Sequence, residues 1–278
     1  MRKRDLFSSV WVAGALMAAV HVQAAIHSVA VEGTDAIFLA GRADVVIPEV
    51  SAGRTSGTLL VRHGSAPPEA LKETAPSAIA VSGGDIIRVL DPAIGGVSFF
   101  NGFGGEVFGP SGNGAVASIL AALGGISGYR GPQGALVGVF LSDTNPGAGI
   151  APEMLDFSLD GLGIDFLALT PGLNQIFYIG DGMTSGGVFQ QFTAPAGATR
   201  LFVGIPDGMG FIGQAGAYED NDGSYLVRIG VNETPTVPEP PTLALLGVGL
   251  VILLLRASVW SRRLHRPRTS WRMALRRP

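Results

Sequence analysis

The sequence contains no cysteine and only four histidines in 278 residues. The absence of cysteine excludes a disulfide scaffold, a thiolate zinc site and a cysteine nucleophile. His21 lies in an N-terminal targeting segment and His265 in a basic C-terminal tail, which leaves only His27 and His63 in the body of the chain. A Ser-His-Asp triad or a multi-histidine metal centre would have to be built from these two. We therefore expect a protein that is not an enzyme.

Charged residues are also scarce, at 15 % of the chain, against about 25 % in an average soluble protein. Between Ala25 and Thr236 there are eight basic residues and 20 carboxylates, a net charge of −12. Such an acidic body would repel nucleic-acid phosphates, so no nucleic-acid partner is expected. From Arg256 onward the sequence contains eight arginines and no acidic residue. The charge asymmetry separates the body from the C-terminal end.

The N-terminus has the pattern of a secretory signal peptide over residues 1–24. Basic residues at positions 2–4 precede the apolar stretch Leu6–Val20, and small residues follow at Ala24 and Ala25. We expect signal peptidase to cut near these two alanines. The alternative is an uncleaved N-terminal membrane anchor.

The C-terminus contains a second apolar segment. The residues Pro238-Glu239-Pro240 are followed by the apolar run Thr242–Leu255, and Arg256 can extend its charged head away from the lipid so that the span continues to Trp260. The sequence thus predicts a linker at 233–237, a transmembrane helix within 238–260, and a basic cytoplasmic tail at 261–278. The body, residues 25–232, would then lie outside the inner membrane.

The order of Pro-Glu-Pro, apolar span and the arginine pair at 262–263 resembles the PEP-CTERM sorting signal of exosortase substrates. This resemblance implies that Pro238, Glu239 and Pro240 form the sorting motif and that exosortase processes the chain there. It further implies an envelope protein of a Gram-negative bacterium. Such a protein is anchored transiently in the inner membrane and then moves to the cell surface or the extracellular matrix, in association with exopolysaccharide.

The body has the pattern of an all-β domain, because short segments rich in Val, Ile and Phe alternate with Gly, Asp and Pro. Two segments have helical composition, Pro67–Thr74 and Ala115–Leu123. We predict a jelly-roll-like β-sandwich with one short helix. The predicted strands are Val45–Ile47, Thr58–Arg62, Ile86–Leu90, Val97–Phe100, Leu136–Leu141, Gln175–Ile179, Val188–Thr193, Arg200–Gly204 and Ser224–Val231.

Several segments of the body resemble the bacterial calcium-dependent galactophilic lectins. They are the turn and strand Ser82–Ile87, the aromatic-Gly-Pro turn Phe108–Gly112, the strand Gly134–Gly138, and the region Phe189–Ile229, and they occur in the order found in those lectins. The resemblance implies a sandwich fold with calcium-dependent carbohydrate binding.

One loop, Tyr218–Tyr225, concentrates polar groups at residues 219–222, where three carboxylates and one carboxamide are adjacent. Carboxylates this close repel one another unless water solvates them or a cation is shared between them. Ca²⁺ accepts six to eight oxygen ligands of this kind. The loop alone favours the alternative, a solvated turn with Asx geometry at Asn221.

The lectin resemblance implies a specific ligand set for Ca²⁺. Carried onto this sequence, the ligands are Asp207, the carbonyl of Ala217, Asp220 and Asn221, with a further carbonyl near Phe99. In the lectins, a histidine and a glutamine also contact the sugar. Gln133 is the residue that would take this role here.

The sequence therefore favours an exported, surface-sorted module that binds Ca²⁺ and, through it, carbohydrate, or that serves in the extracellular matrix. One alternative is a structural envelope or biofilm protein that uses the same fold without a ligand. The other is a hydrolase acting on exopolysaccharide, which would need a pair of carboxylates. Asp156, Asp160 and Asp165 are the candidates for that pair, although their surroundings are typical of turns.

Overall fold

The computed structural model describes residues 24–42, 44, 45, 47, 73–99 and 106–235. All of them belong to one compact unit that ends at Pro235. The predicted signal peptide, the Pro-Glu-Pro motif, the C-terminal apolar span and the basic tail lie outside the described residues.

Strands dominate the described part of the chain. They are β1 (Ala25–Glu32), β2 (Ala78–Ala80), β3 (Ile86–Val89), β4 (Ile94–Ser98), β5 (Asn113–Leu120), β6 (Tyr129–Gln133), β7 (Val137–Leu141), β8 (Ala168–Leu169), β9 (Ile176–Tyr178), β10 (Gln191–Thr193), β11 (Arg200–Gly204), β12 (Ile212–Gly213) and β13 (Asp222–Val231). Short 3₁₀ turns occur at Ile37–Leu39, Pro146–Ala148, Met209–Phe211 and Tyr218–Asp220. Within the described ranges, no helix has the length and apolar character that crossing a membrane requires.

The strands form three sheets. The first has the order β1-β13-β3-β10-β8, with β4 also paired to β13; the second has the order β2-β11-β7-β9; and a small third sheet has the order β12-β5-β6. Pairing is antiparallel except between β8 and β10 and between β5 and β12. The sheets pack as a sandwich, which confirms the predicted fold class.

The burial pattern explains why these segments become strands. In β13 the side chains of Tyr225, Val227 and Ile229 are buried, whereas Leu226 and Arg228 between them are exposed. This two-residue period gives the first sheet one face toward the core and one toward water. Every residue of β7 is buried instead, so its sequence is a continuous apolar run rather than an alternating one.

Most strand predictions within the described residues are confirmed to within a few residues. The strand Arg200–Gly204 has the predicted bounds, and predicted strands that begin at Ile86, Leu136, Gln175 and Ser224 overlap β3, β7, β9 and β13. The predicted strand at 45–47 is wrong, because its described residues form none. The predicted strand at 58–62 and nearly all of the predicted helix at 67–74 lie outside the described residues.

The predicted short helix Ala115–Leu123 is wrong, because residues 115–120 belong to the strand β5 and residues 121–123 form no helix. The strand pairs antiparallel with β6, with Ser118 opposite Gly131 and Leu120 opposite Tyr129. The alanine and leucine composition favours helix by only a few tenths of a kcal/mol per residue. Pairing with strands on both sides, together with the complete burial of the Leu120 side chain, outweighs that preference.

Candidate functional site

The predicted metal ligands come from both main sheets and meet at one end of the sandwich. Asp207 follows β11 of the second sheet, while Asp220 ends the 3₁₀ turn before β13 of the first sheet. Asn221 is the residue between that turn and β13. Its Nδ2 donates a hydrogen bond to Asp207 Oδ2 at 2.9 Å. The two segments singled out by the sequence are therefore brought into direct contact.

These polar side chains are buried. The exposed fraction is 2 % for Asp207, 4 % for Asp220 and 3 % for Asn221. The solvated turn that the loop alone would also have allowed is thus wrong at these positions, although the next residue, Asp222, is exposed. Burying a carboxylate is costly unless hydrogen bonds or a counter-charge compensate for the lost water.

Hydrogen bonds fix the orientation of the Asn221 side chain. Its Nδ2 donates to the Gly33 carbonyl at 2.9 Å as well as to Asp207 Oδ2. The other oxygen of Asp207, Oδ1, accepts from the Gly208 N–H at 2.7 Å. With both amide hydrogens of Asn221 engaged, its Oδ1 is left buried and accepts no hydrogen bond. Such an orphaned acceptor beside a buried carboxylate is the arrangement that a cation would complete.

Tyr218 holds Asp207 in place from inside the core. The Tyr218 hydroxyl donates to the Ile205 carbonyl at 2.8 Å and accepts from the Asp207 N–H at 3.0 Å. Burial, and then the negative charge of Asp207, raise the pKa of the Tyr218 hydroxyl well above its usual value. The hydroxyl therefore stays protonated and keeps its role as donor throughout the physiological pH range.

The loop from Asp207 to Asp220 is anchored in two ways. The Gly216 N–H donates to the Asp207 carbonyl at 3.2 Å, which closes the loop on itself. The Phe211 ring packs against Phe99, with ring centroids 5.4 Å apart, and also against Phe108. The loop returns the chain from the second sheet to the first in a defined path.

The two predicted carbonyl ligands lie in the same region. Ala217 directly precedes the turn Tyr218–Asp220 and has left-handed backbone angles, φ 66° and ψ 18°. Asp222 pairs with Ser98 of β4, so Phe99 lies one residue beyond this pair, on the Asn221 side of the ladder. By contrast, Gln133 ends β6 opposite Asn113, in the small third sheet.

The chemistry of this donor set is that of a hard cation. Two carboxylates, one amide oxygen and main-chain carbonyls are oxygen ligands, which suit Ca²⁺ better than a transition metal. Within the described ranges, no group of three or more His, Asp or Glu side chains is close enough to hold a metal. A cation at Asp207 would therefore depend on Asn221 and on carbonyl oxygens to complete its shell.

Two of the three carboxylates considered for a hydrolase have other hydrogen-bond partners. Asp156 Oδ1 accepts from the Ser158 N–H at 2.9 Å. Asp165 accepts from the N–H and the hydroxyl of Ser185, at 2.6 and 2.9 Å, and these bonds lower the pKa of its carboxyl. Asp160 is exposed on the same loop. Asp156 and Asp165 thus stabilise turns and loops, as their sequence surroundings indicate.

Three residues of the site carry no sequence signal that reveals their role. Gly33 supplies a carbonyl acceptor from the end of β1, and a side chain there would lie against Asn221 Cβ, at 3.1 Å from the added Cβ. Tyr218 and Ile205 position Asp207 through the hydroxyl. All three are recognised only from contacts between segments that are distant in the chain.

The comparisons with known proteins address the C-terminal end. Residues 236–263 match the protein-family model described as the PEP-CTERM protein-sorting motif. This match confirms the sorting motif predicted at Pro238, Glu239 and Pro240, and it indicates an exported protein that exosortase processes after transient anchoring in the membrane. No curated protein and no solved structure matches the chain. The likeness of the body to galactophilic lectins stays a prediction.

Proposed function

We propose that this exosortase-sorted protein is an extracellular matrix module that binds Ca²⁺ through Asp207, Asp220, Asn221 and the Ala217 carbonyl, and that it binds carbohydrate with the help of this ion. The sorting motif supports export and delivery to the surface. The main observation in support of the calcium site is that Asn221 Oδ1 is buried and accepts no hydrogen bond. The same side chain is hydrogen-bonded to Asp207 through its Nδ2.

The proposed coordination shell leaves room for a ligand. Two carboxylates, the Asn221 amide oxygen, and carbonyls at Ala217 and near Phe99 supply five oxygens, whereas Ca²⁺ accepts six to eight. Water or two adjacent sugar hydroxyls would supply the rest. Mg²⁺ should compete poorly, because it requires a tighter octahedral shell and retains several waters.

A second candidate is a structural envelope or biofilm protein that needs no ligand. It is favoured by the hydrogen bonds among Asp207, Asn221, Gly33 and Tyr218, which join the two main sheets at this end. Such a network stabilises a sandwich without any ion.

Thermal unfolding of the full chain in detergent, in Ca²⁺, Mg²⁺ or EDTA, separates the two candidates. With a dissociation constant of about 10⁻⁴–10⁻³ M, typical of extracellular modules, about 1 mM Ca²⁺ should stabilise the fold by ~0.4–1.4 kcal/mol. The melting temperature should rise by a few degrees. Asp207→Asn should abolish the rise, whereas Asp181→Asn, at a turn carboxylate bonded to the Met183 N–H, should retain it.

Equal melting in the three solutions would overturn the calcium site and leave the structural candidate. A glycan array then tests the carbohydrate part of the proposal with the same preparation. Binding that is present in Ca²⁺ and lost in EDTA is the expected result. A calcium-dependent melting shift without calcium-dependent glycan binding would restrict the ion to a structural role.

A further inference from the structure

A cleft lies on the small third sheet and shares no lining residue with the Asp207–Asn221 cluster. Its volume is about 250 Å³, and it is formed between β5–β6 and the loop that follows Asp156. This volume is below the range of about 300–1,000 Å³ typical of sites for drug-sized ligands, so it fits a single small ring. The lining includes Gly114, Ala117, Arg130, Pro132, Phe157 and Asp160.

The loop that forms one wall of the cleft is held by main-chain and side-chain bonds. The Ser158 carbonyl accepts from the N–H groups of Gly161 and Gly163, at 3.0 and 3.2 Å. The buried Gln190 side chain donates from Nε2 to the Ile164 carbonyl at 2.8 Å. A wall fixed in this way loses little conformational freedom when a ligand binds.

The polar part of the cleft has a charged donor. Arg130 lines it from β6, and its Nη1 lies 3.3 Å from Asp156 Oδ2 in an ion pair. The Arg130 Nε is enclosed by protein, but the side chain as a whole is 38 % exposed. The outer part of the guanidinium can therefore donate a charge-assisted hydrogen bond to a ligand oxygen in the cleft. The exposed carboxylate of Asp160 offers acceptors for ligand hydroxyl groups on the same cleft.

The apolar part of the cleft combines a tightly packed wall at Phe157 with an exposed rim at Leu159. Phe157 is 1 % exposed and packs against Tyr178 and Phe166, with ring centroids 6.2 and 5.9 Å apart. Leu159 at the rim is 89 % exposed. Four further large hydrophobic side chains within residues 150–167 are also exposed, namely Ile150, Met154, Leu162 and Leu167.

We propose that this cleft binds one neutral sugar unit of a polysaccharide without any metal ion. The exposed part of the Arg130 guanidinium donates to a ring substituent oxygen, Asp160 accepts from a hydroxyl, and the C–H face of the ring lies on Pro132 and Leu159. One arginine beside the carboxylates of Asp156 and Asp160 gives the cleft a net negative charge, which disfavours acidic sugars. The inference is independent of the proposed calcium site, because no residue is shared.

Saturation-transfer NMR on the full chain tests the proposal, with the methyl glycosides of glucose, galactose, mannose and glucuronic acid as probes. The protein is kept in an amine-oxide detergent, which has no sugar headgroup. At about 10 mM glycoside, millimolar affinities are detectable. We expect saturation transfer to the ring protons of at least one neutral glycoside, with glucuronate weaker and with no change on adding EDTA.

Variants then locate the binding site. Arg130→Met should weaken binding about 10–100-fold, the cost of losing a hydrogen bond to a charged group. Gly114→Leu should block the cleft without disturbing the fold, because a Cβ added at Gly114 meets no atom within 4 Å. Leu159→Ala, at an exposed rim position, should weaken binding less. Arg228→Met is the matched control, since Arg228 pairs with Asp91 elsewhere on the surface and should leave binding unchanged.

Three results would overturn the proposal. One is the absence of saturation transfer to every neutral glycoside of the panel in the wild type. Another is transfer in Gly114→Leu that is as strong as in the wild type. Transfer that disappears in EDTA and in Asp207→Asn would assign the sugar to the calcium site instead and also overturn this one. Conversely, loss of the calcium-dependent melting shift leaves this proposal intact.

Discussion

Replacing Tyr218 by phenylalanine tests whether the tyrosine hydroxyl positions Asp207. The hydroxyl donates to the Ile205 carbonyl at 2.8 Å and accepts from the Asp207 N–H at 3.0 Å, and the side chain is fully buried. Tyr218→Phe removes both bonds while it keeps the ring. The Asp207 N–H then loses the hydroxyl as its acceptor, whereas the Ile205 carbonyl keeps the hydrogen bond from the Ile37 N–H at 3.2 Å.

The magnitude follows from these two groups. A buried donor that loses its acceptor costs about 1–3 kcal/mol, and the lost bond to the Ile205 carbonyl, which keeps its other donor, costs about 0.5–1.5 kcal/mol. The free energy of unfolding should therefore fall by about 1.5–4.5 kcal/mol. For a domain of this size the melting temperature should fall by about 2–4 °C per kcal/mol. Tyr129→Phe is the matched control, because Tyr129 is equally buried and its hydroxyl donates one bond, to the Pro132 carbonyl at 3.1 Å. Its loss should be about 1–2 kcal/mol.

Urea unfolding of the wild type and both variants, followed by circular dichroism, measures these differences. Calcium titration by calorimetry adds a second readout, since Tyr218→Phe should weaken Ca²⁺ binding and Tyr129→Phe should not. A loss of stability in Tyr218→Phe no larger than that in Tyr129→Phe would refute the reasoning about the hydroxyl. Unchanged calcium affinity in Tyr218→Phe would refute its role in positioning Asp207.

Three further predictions concern other parts of the chain. Burial raises the pKa of all four tyrosine hydroxyls, that of Tyr178 to about 12. Because the pKa is higher in the folded than in the unfolded state, the free energy of unfolding should be constant below about pH 10 and should decline above it. Phenolate absorbance should therefore appear only together with alkaline unfolding, and a native-state titration near pH 10 would contradict this. Gly95→Ala should lower the free energy of unfolding by about 2 kcal/mol or more, and Gly84→Ala by only about 1–2 kcal/mol. Both glycines have a positive φ, but of the two only a Cβ at Gly95 would clash, at 2.3 Å from the main-chain oxygen of Ser224. Equal losses of stability in urea unfolding would contradict the clash. Alanine at all three positions 238–240 should leave a larger mature mass in the native host, because the C-terminal segment is not removed, and an unchanged mass by mass spectrometry would argue against processing there.

The fold class was readable in the sequence because strands leave local patterns. Short apolar segments between Gly, Asp and Pro residues predicted strands at Ser224–Val231 and Leu136–Leu141, where the structure has β13 and β7. The segment Ala115–Leu123 was misread as a helix, because its pairing partners, β6 and β12, lie elsewhere in the sequence and leave no trace in its composition. Strand propensity depends on such partners more than helix propensity does.

The sequence by itself determined the sorting motif, the acidic charge of the body and the residue types of the candidate calcium site. Only the tertiary structure decided that Asp207 and Asn221 are buried and in contact across two sheets, because a run of adjacent carboxylates is equally compatible with a solvated loop. The cleft at Arg130 left no sequence signal at all. A lone arginine in a strand becomes a candidate binding residue only when the loop after Asp156 packs beside it and the two line one cleft. Burial and hydrogen-bond satisfaction are properties of packed segments, and the linear order of residues does not contain them.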